Sequence, residues 1–329
     1  MQTLEDIRRP VEKEFAQYEE AIAAAVASDN ALVQAVMDHV FQKRGKQMRP
    51  FLVLLSAAIC GQVNSKTIGT AVALELLHTA SLVHDDVVDM SPTRRGQTAA
   101  HVKWDNKVAI LTGDYILGKV IELMAGLRSI PLTAIIARLG QRLSTGEILQ
   151  LHVGQSMWIS EEQYMRVIEG KTAELFAACT EGGAVSVGAS EKKQHAMERF
   201  GRELGLVFQL QDDVLDYGDS EELGKPTMQD IRDGKATLPL LKALERAPKS
   251  EADEIRSLCE QLANSNEDEN EVEQRIKNFV LRYDGIGYAG QVMQEHKKKA
   301  MEALEVFHGN DACKQSLTYI LNFAINRVK

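Results

Sequence analysis

The sequence predicts an all-α protein. Only seven of its 329 residues are proline, and none lies between Pro131 and Pro226, so a long part of the chain lacks the strongest helix breaker. Aromatic residues make up 5% of the chain while Ala, Leu, Glu, Gln and Met are abundant, a balance that favours helices over strands. Apolar residues recur at spacings of three and four, as at Leu132, Ile135 and Leu139, which is the period of a helix with one buried face. No segment has a convincing strand pattern.

Helix boundaries are predicted where Gly, Pro, Asn and Asp interrupt this period. The interruptions lie at residues 44–50, 61–65, 90–96, 129–131, 182–183, 219–225 and 263–270. They imply on the order of ten helices of ordinary length. The length of the chain fits one large domain or two ordinary ones. Since neither a repeat nor a Gly/Ser/Pro linker divides the chain, a single helical domain over residues 1–329 is the simplest prediction.

Charge and hydropathy limit the classes of partner. The formal net charge of -9 argues against nucleic acid, because binding to a phosphate backbone needs a surplus of Lys and Arg. An anionic ligand must then meet a local basic patch or a metal. Residues 1–6 are acidic and lack a secretory signal, and the longest uncharged stretch, residues 50–65, is too short and too polar to span a membrane. We therefore expect a cytoplasmic protein without a transmembrane segment.

Two aspartate clusters of the form D-D-x-x-D are the most informative feature. Their members are Asp85, Asp86 and Asp89 in the first cluster and Asp212, Asp213 and Asp216 in the second. On a helix, the first and last aspartates of a cluster lie one turn apart on the same face. Both clusters follow strongly apolar stretches, residues 71–83 and 204–210, so we expect core helices whose ends open into a cavity. Because burying unpaired carboxylates is costly, a cation is the expected compensation.

Magnesium suits such a site. Mg²⁺ takes one or two carboxylates together with water and phosphate oxygens, which fits two short aspartate sets facing one another. The alternative interpretation is a pair of solvated acidic helix ends. Finding the pattern twice, on predicted core helices and among basic motifs, favours metal sites over that alternative.

Basic residues flank the first cluster on both sides. Lys46 and Arg49 lie in a loop that leads into an apolar helix, where Arg can grip phosphate through two parallel hydrogen bonds. Taken alone, these two residues would indicate a basic turn. Arg94 and Arg95 follow the first cluster closely enough to reach a ligand held there.

Other candidates occur along the rest of the chain. Lys171 and Lys225 would each be interpreted as surface residues in isolation, and Lys235 follows a glycine that could end a helix. His78 precedes Asp85 by two helical turns on the same face, so it points into the same predicted cavity, although a lone His on an apolar helix is usually a core residue. Gln209 lies one turn before the second cluster.

Together these segments resemble the trans-isoprenyl diphosphate synthases, in order from about Phe41 to Leu241. The resemblance depends on Gly45-Lys46-Gln47-Met48-Arg49-Pro50, Leu77-His78-Thr79-Ala80-Ser81-Leu82-Val83-His84-Asp85-Asp86, Arg94-Arg95-Gly96, Gly113-Asp114, Gly146-Glu147, Gly170-Lys171-Thr172, Phe208-Gln209-Leu210-Gln211-Asp212-Asp213 and Gly234-Lys235-Ala236-Thr237-Leu238-Pro239. It implies a single-domain helical bundle around a deep central cavity, found as a homodimer. The first loop departs from the family pattern at Arg44, where Gly is common, and at Gln47, where Arg is common.

The resemblance also implies a role for each motif. Mg²⁺ would be held by Asp85, Asp89 and Asp212, and Asp86 and Asp216 would support it through water or through contacts to its ligands. Asp213 would complete the catalytic carboxylates. The allylic diphosphate would be held by Arg94, Lys171, Thr172, Lys225 and Lys235. Isopentenyl diphosphate would be held by Lys46, Arg49, His78 and Arg95. Gln209 would line the path of the reacting carbons.

The implied chemistry accounts for these residue types. Cations draw charge onto a departing diphosphate, and the double bond of isopentenyl diphosphate attacks the allylic cation that remains. The released diphosphate can accept the final proton, so neither a Ser-His-Asp nor a Cys-His set is needed. The apolar product would make transient membrane contact on release.

Product length is predicted from Ala80 and Ser81, the fifth and fourth residues before Asp85. By resemblance, short-chain members place large aromatic residues here to block the growing tail. Ser81 lies one turn before Asp85 on the same face, whereas ideal helical geometry turns Ala80 away from it. With small residues at both positions, we expect a long-chain product of the octaprenyl class.

Three rival functions compete with this hypothesis. A class I terpene cyclase would share the first cluster but usually carries an Asn/Ser/Glu-type second metal motif. A non-catalytic partner subunit would tend to lose the aspartate clusters, and both are present here. A generic helical scaffold with acidic patches is the remaining alternative.

Overall fold

The computed structural model describes residues 7–43, 45, 47–153, 157–218, 227–265 and 269–327. It confirms the predicted fold class, because 81% of the described residues are helical. In chain order, the α-helices are Glu12–Ala25, Ala31–Phe41, Met48–Cys60, Ser65–Val88, Ala100–Lys103, Asn106–Leu127, Ile130–Val153, Glu161–Ile168, Glu174–Ser186, Glu191–Leu215, Gln229–Arg232, Leu238–Arg246, Lys249–Asn264, Asn270–Arg282, Gly285–Leu304 and Asp311–Asn326. A 3₁₀ turn, Arg9–Val11, precedes them, and a π-helical turn, Glu169–Ala173, joins two of them.

Two expectations about secondary structure were wrong. Gly182 and Gly183 do not end a helix, since they lie inside Glu174–Ser186. A Cβ atom on Gly183 would lie 2.3 Å from the carbonyl oxygen of Val53, so this glycine lets two helices approach closely. A short hairpin is also present, in which Thr93–Arg94 pairs antiparallel with Gln97–Thr98. The predicted break at residues 219–225 lies outside the described residues.

Contacts divide the chain into two compact units. The first comprises Met1–Leu143, Leu175–Gly201 and Ala303–Tyr319, and the second comprises Ser144–Glu174, Arg202–Glu302 and Ile320–Lys329. The prediction of a single domain is not tested by this division and stays a prediction. Within the described residues, no helix is both long enough and apolar enough to cross a membrane.

The first unit is built around the helix Ser65–Val88, called here the first-cluster helix. Its N-terminus is fixed by a capping box between Asn64 and Thr67. Its residues from Val72 to Leu77 are buried, as is most of the helix Met48–Cys60, which carries Arg49 in its first turn. Burying each such aliphatic side chain contributes about 1.5–3 kcal/mol. This core holds the end of the first-cluster helix, and with it the first three aspartates, in place.

Close packing also fixes the C-terminal end of the first-cluster helix. A Cβ atom on Gly113 would lie 2.1 Å from Nε2 of His84, so only glycine leaves room for the imidazole. The His84 Nε2 lies 3.1 Å from the carbonyl oxygen of Ile110. The glycine of the Gly113-Asp114 motif therefore lets the helix Asn106–Leu127 pack against the residue that precedes Asp85.

The second unit contains the helix Glu191–Leu215 from Arg202 onward, called here the second-cluster helix. Leu206 and Leu210 of this helix pack with Tyr164, Ile168 and Leu238 in one apolar cluster. A neighbouring apolar cluster is formed by Tyr217, Met228, Ile231, Leu240, Ile255, Leu262 and Phe279. Both clusters lie beside the second aspartate set, so its carboxylates border apolar surroundings.

Candidate active site

The first aspartate cluster lies where its helix ends. Asp86 is 5% exposed, Asp85 is partly exposed, and Asp89 is exposed at the position that caps the helix. The backbone N–H of Asp89 donates to the carbonyl oxygen of Asp85 at 2.8 Å, which places these two residues one turn apart as predicted.

Arg94 neutralises the buried member of this cluster. Its Nε donates to Oδ1 of Asp86 at 2.7 Å, and its Nη2 contacts the same oxygen. Burial raises the pKa of Asp86, and the hydrogen bond from Arg94 opposes that shift. In this structure Arg94, predicted to hold the allylic diphosphate, is therefore a counter-ion of the first cluster.

The hairpin that follows explains how Arg94 and Arg95 are presented. Its two turn residues, Arg95 and Gly96, have φ of 51° and 69°, as a two-residue type I′ turn requires. The Nη1 of Arg95 donates to the carbonyl oxygen of Lys43 at 2.9 Å, which ties the turn to the first loop. Sequence reasoning placed these arginines correctly near the cluster but missed the strands that hold them.

His78 is 7% exposed and lies within the electrostatic range of three arginines. Burial lowers the pKa of His78 well below its usual value, and the charges of Arg49, Arg95 and Arg94 lower it further, so its imidazole is neutral. The Nε of Arg49 is buried and has no hydrogen-bond partner among the described residues. Three of the residues predicted to bind isopentenyl diphosphate, Arg49, His78 and Arg95, thus lie together in the first unit. Lys46 lies outside the described residues.

Glu75 is an acidic residue of this group that sequence reasoning missed. It is 3% exposed and lies one turn before His78. Burial lowers the pKa of Arg49, and the charge of Glu75 opposes that shift. The guanidinium of Arg49 also lies 5.9 Å from the ring centroid of Phe176. A lone Glu in an apolar stretch, at a spacing of three from His78, was the available signal.

The second cluster is held by neutral donors. The hydroxyl of Tyr164 donates to Oδ2 of Asp213, and Nε2 of Gln209 donates to Oδ1 of Asp213 at 2.8 Å. The hydroxyl of Thr172 donates to Oε1 of Gln209 at 2.8 Å, so the orientation of the Gln209 amide is fixed from both ends. Burial raises the pKa of Asp213 to about 7, and the two hydrogen bonds oppose that shift. Thr172, Gln209, Asp213 and Tyr164 form one network.

Asp216 holds a short helix by its N-terminus. Its two carboxylate oxygens accept from the backbone N–H groups of Gln229 and Asp230, each at 3.0 Å. Such N–H groups at a helix start favour a negative charge. Asp216 thereby positions the turn that carries Asp230, Gly234 and Lys235. Burial raises the pKa of Asp230 to about 8, and the charges of Asp213 and Asp216 add to that shift.

Asp212 pairs with an arginine near the end of the chain. The Nη2 of Arg327 lies 2.9 Å from Oδ1 of Asp212 and donates to the carbonyl oxygen of Phe208 at 2.7 Å. The guanidinium also stacks on the Phe208 ring, 3.8 Å from its centroid. Sequence reasoning missed Arg327, because nothing in the motifs connects a residue so far along the chain with the second cluster.

A pocket of about 210 Å³ in the second unit collects most of the predicted allylic-diphosphate residues. Its polar lining includes Gln150, Tyr164, Lys171, Thr172, Gln209, Asp213, Asp230, Lys235 and Thr237, and Met157, Ile159 and Ile168 are among its apolar lining. The Nζ of Lys171 lies 2.8 Å from Oε2 of Glu147 and 3.1 Å from Oε1 of Gln150. Because an ammonium has three donors, Lys171 can bind an anion and keep both contacts. Lys225 lies outside the described residues.

Lys171 and Thr172 lie in the π-helical turn Glu169–Ala173. A Cβ atom on Gly146 would lie 3.1 Å from the backbone of Gly170 and of Lys171, so the glycine of the Gly146-Glu147 motif allows the neighbouring helix to pack tightly on this turn. The π-helical turn therefore presents Lys171 beside Glu147.

Comparisons with known proteins identify the family. A family model described as polyprenyl synthetase matches residues 30–279. The chain belongs to the polyprenyl synthetase family. It is 35% identical to the all-trans-nonaprenyl-diphosphate synthase (geranyl-diphosphate specific) of Rhodobacter capsulatus, over 99% of this chain and 98% of the relative. It is 37% identical to the short chain isoprenyl diphosphate synthase of Methanothermobacter thermautotrophicus, over 88% of this chain and 89% of the relative.

The solved structures show the same fold. The polyprenyl synthase from Caulobacter crescentus, complexed with calcium and isoprenyl diphosphate, superposes with a TM-score of 0.89 at 35% identity and covers 99% of this chain and 98% of that one. The predicted family, the all-α isoprenoid synthase fold and the enzymatic class are thereby confirmed. Family membership disfavours the generic scaffold and the terpene cyclase.

The carboxylates of this polyprenyl synthetase fit a metal that is completed by a ligand. Within the described part of the chain, no three His, Cys, Asp or Glu side chains converge closely enough to bind a metal alone. In the first unit Asp85 is partly exposed and Asp89 is exposed, and in the second unit Asp212 is partly exposed, so each of these carboxylates is accessible to an ion. Mg²⁺ commonly takes only one or two carboxylates and completes its shell with water and phosphate. Each cluster therefore offers carboxylates of the kind that fit Mg²⁺ shared with a diphosphate.

Proposed function

We propose that this polyprenyl synthetase condenses isopentenyl diphosphate with an allylic diphosphate to make a linear long-chain polyprenyl diphosphate, in a reaction that depends on Mg²⁺. The observation that carries the proposal is the pocket in which Lys171, Lys235 and Thr172 line a cavity together with Asp213. The cations Lys171 and Lys235 suit an anionic ligand in this cavity.

Each set of residues has a place in the reaction. Lys171 and Lys235 bind the allylic diphosphate, while Arg49, His78 and Arg95 bind isopentenyl diphosphate. Thr172 and Gln209 orient the polar wall of the pocket, because their hydrogen bonds fix the Gln209 amide. Mg²⁺ held by Asp85, Asp89 and Asp212 would draw negative charge from the leaving diphosphate.

The bond changes balance without a protein nucleophile. The allylic C–O bond breaks and its electron pair leaves with the diphosphate. The double bond of isopentenyl diphosphate forms the new C–C bond, and the proton lost from the adduct passes to the released diphosphate. Apolar lining such as Met157 and Ile159 would keep water from the cation.

The direct test uses purified protein with isopentenyl and farnesyl diphosphates. With Mg²⁺ we expect polyprenyl diphosphates of about the octaprenyl length, and with excess chelator no elongation. A product that never exceeds farnesyl or geranylgeranyl diphosphate would refute the long-chain assignment. A cyclic hydrocarbon product would refute the synthase assignment.

Product length depends on the first-cluster helix. Ala80 is fully buried, while Ser81 is partly exposed and its hydroxyl donates to the carbonyl oxygen of His78 at 2.8 Å. Placing Tyr at position 80 would overpack the core, so Ser81→Phe is the cleaner probe. We expect Ser81→Phe to shorten the product and Ser81→Ala to leave its length unchanged. An unchanged length in Ser81→Phe would remove Ser81 from the tail's path.

Homodimer formation and cytoplasmic location belong to the same proposal. Exposed apolar side chains on the helix Asn106–Leu127 support the dimer: Ile110 is 43% exposed and Ile121 is 71% exposed. They are three helical turns apart and share a face. Transient membrane contact would then serve release of the apolar product.

A further inference from the structure

The π-helical turn that carries Lys171 and Thr172 needs a specific stabilising contact. It is closed by the backbone N–H of Glu174, which donates to the carbonyl oxygen of Glu169, five residues earlier. Such i→i+5 turns are rare and occur mostly as single turns at functional sites. A turn closed in this way holds one residue more than an α-helical turn. If the segment were α-helical, the residues before that extra residue would be rotated about the helix axis relative to the residues after it. Lys171 and Thr172 would then lose their present directions.

Arg202 contacts both ends of this turn. Its Nη1 lies 2.9 Å from Oε1 of Glu169 and 2.5 Å from Oε1 of Glu174. The Arg202 side chain is 26% exposed and that of Glu174 is 9% exposed, so water screens this pair only in part. The two carboxylates that it joins belong to the residues that the π-type hydrogen bond joins.

This bridge is specific for the π-helical form. In an α-helix successive residues are separated by about 100°, so positions five apart point about 140° away from each other around the axis. One nitrogen atom cannot readily bind carboxylates that diverge in this way. In a turn closed by an i→i+5 bond, the two positions return to nearly the same side. A single guanidinium nitrogen between Glu169 and Glu174 therefore favours the π-helical form over the α-helical form.

Two residues of the second-cluster helix, Arg202 and Gln209, contact this turn. Arg202 precedes Gln209 by seven residues, so the two lie on one helical face. Gln209 accepts from Thr172 inside the turn, while Arg202 binds Glu169 and Glu174 at its two ends. The turn is thus fixed at three points by one face of the helix that carries Asp213.

We propose that Arg202 is a positioning residue, which selects the π-helical form of the turn and thereby holds Lys171 and Thr172 in the pocket. The proposal rests on the proposed function, because it takes Lys171 as a ligand of the allylic diphosphate. Arg202 acts through Lys171, so its loss should weaken allylic-substrate binding without removing any contact of its own to that substrate.

Steady-state kinetics of Arg202→Met provides the first test. We expect the KM for the allylic diphosphate to rise by about tenfold, as for a binding group displaced by a fraction of an ångström. The KM for isopentenyl diphosphate should change by less than about twofold. In a Lys171→Ala background, Arg202→Met should add little further increase, because the residue through which it acts is gone. Full additivity of the two changes would overturn the proposal.

A charge control separates positioning from long-range electrostatics. The double variant Glu169→Gln with Glu174→Gln also breaks the bridge, but it makes the protein more positive. If Arg202 acted only through its distant charge, this variant would bind the anionic substrate more tightly. Positioning predicts the opposite, a higher KM for the allylic diphosphate. An unchanged or lower KM in this double variant would overturn the proposal.

Two further variants keep the test decisive. Arg138→Met removes a matched arginine whose Nη2 pairs with Glu181 in the first unit, and it should leave both KM values unchanged. If Arg202→Met does not fold, Glu169→Gln alone breaks one half of the bridge at a side chain that is 44% exposed, and should still raise the allylic KM. Lys171→Ala alone tests the proposed function: no effect there rejects the allylic site, whereas an effect there without one in Arg202→Met rejects only the positioning role.

Discussion

Asp86 and Asp213 hold the same place in the two D-D-x-x-D clusters, yet different groups compensate their carboxylates. Asp86 is 5% exposed and pairs with the cation Arg94. Asp213 is 3% exposed and accepts from two neutral donors, Tyr164 and Gln209. Burial raises the pKa of both carboxyls, and the pKa of Asp213 reaches about 7. Identical sequence patterns therefore give one carboxylate that is paired with a charge and one that can hold a proton near neutral pH.

The last aspartates differ as well. Asp89 is exposed at the end of the first-cluster helix, whereas Asp216 is 8% exposed and accepts two backbone N–H groups of a following helix. The first cluster thus ends in a carboxylate that can turn toward an ion. In the second, Asp216 is already engaged in holding the turn with Lys235. Under the proposed Mg²⁺ dependence, Asp85 and Asp89 would act in the first cluster and Asp212, which here pairs with Arg327, in the second.

The largest expected effect comes from the first aspartate of each cluster. Asp85→Ala and Asp212→Ala should each reduce turnover by roughly 10²- to 10³-fold or more at saturating Mg²⁺, because each removes stabilisation of the charge that develops on the diphosphate. Far-UV circular dichroism should show an unchanged helical fold. Asp253→Ala, an exposed aspartate paired with Arg256, is the matched control and should keep normal turnover. Near-normal turnover in either cluster variant would break the metal assignment.

A smaller effect should separate the two substrates. Arg49→Ala should raise the KM for isopentenyl diphosphate by about tenfold or more and change the allylic KM little. Lys171→Ala should do the reverse, because it removes a cation from the pocket of the second unit. The pair is measured by varying one substrate at saturation of the other. Equal changes in both KM values for either variant would contradict the division into two diphosphate sites.

The smallest expected effect is on pH-dependent stability without metal. The pKa of Asp213 is raised from 3.8 to about 7 on folding, so between these values the folded protein holds a proton that the unfolded chain has lost. The contribution of Asp213 to the free energy of unfolding therefore falls as pH rises through this window, by up to roughly 4 kcal/mol. Asp213→Asn should flatten that slope in chelator-treated protein, as measured by urea unfolding at several pH values.

The variant Asp86→Asn provides the comparison for this dependence of the free energy of unfolding on pH. The pKa of Asp86 is also raised by burial, but Arg94 opposes the shift, so the change in slope should be smaller than for Asp213→Asn. A larger change in Asp86→Asn than in Asp213→Asn would show that the two clusters do not differ in the way described above.

Most of the fold could be predicted because its signals are local. Helix boundaries near residues 61–65, 129–131 and 263–270 follow from Gly, Pro and Asn, and the structure places helix ends there. The break at Gly182 and Gly183 failed because a glycine can serve packing instead of a turn, and that depends on Val53, far away in sequence. The Arg95-Gly96 turn was missed because strands of two residues leave no periodic pattern.

The candidate residues themselves were determined by the sequence: two D-D-x-x-D patterns, the basic motifs and the small side chains before Asp85. These patterns depend on residue type and helical spacing, which the chain specifies locally. Only the tertiary structure decided that Arg94 pairs with Asp86, that Arg327 reaches Asp212, and that Tyr164 donates to Asp213. Partners brought from distant segments set the charge and pKa of each carboxylate, because both depend on burial and on atoms within a few ångströms.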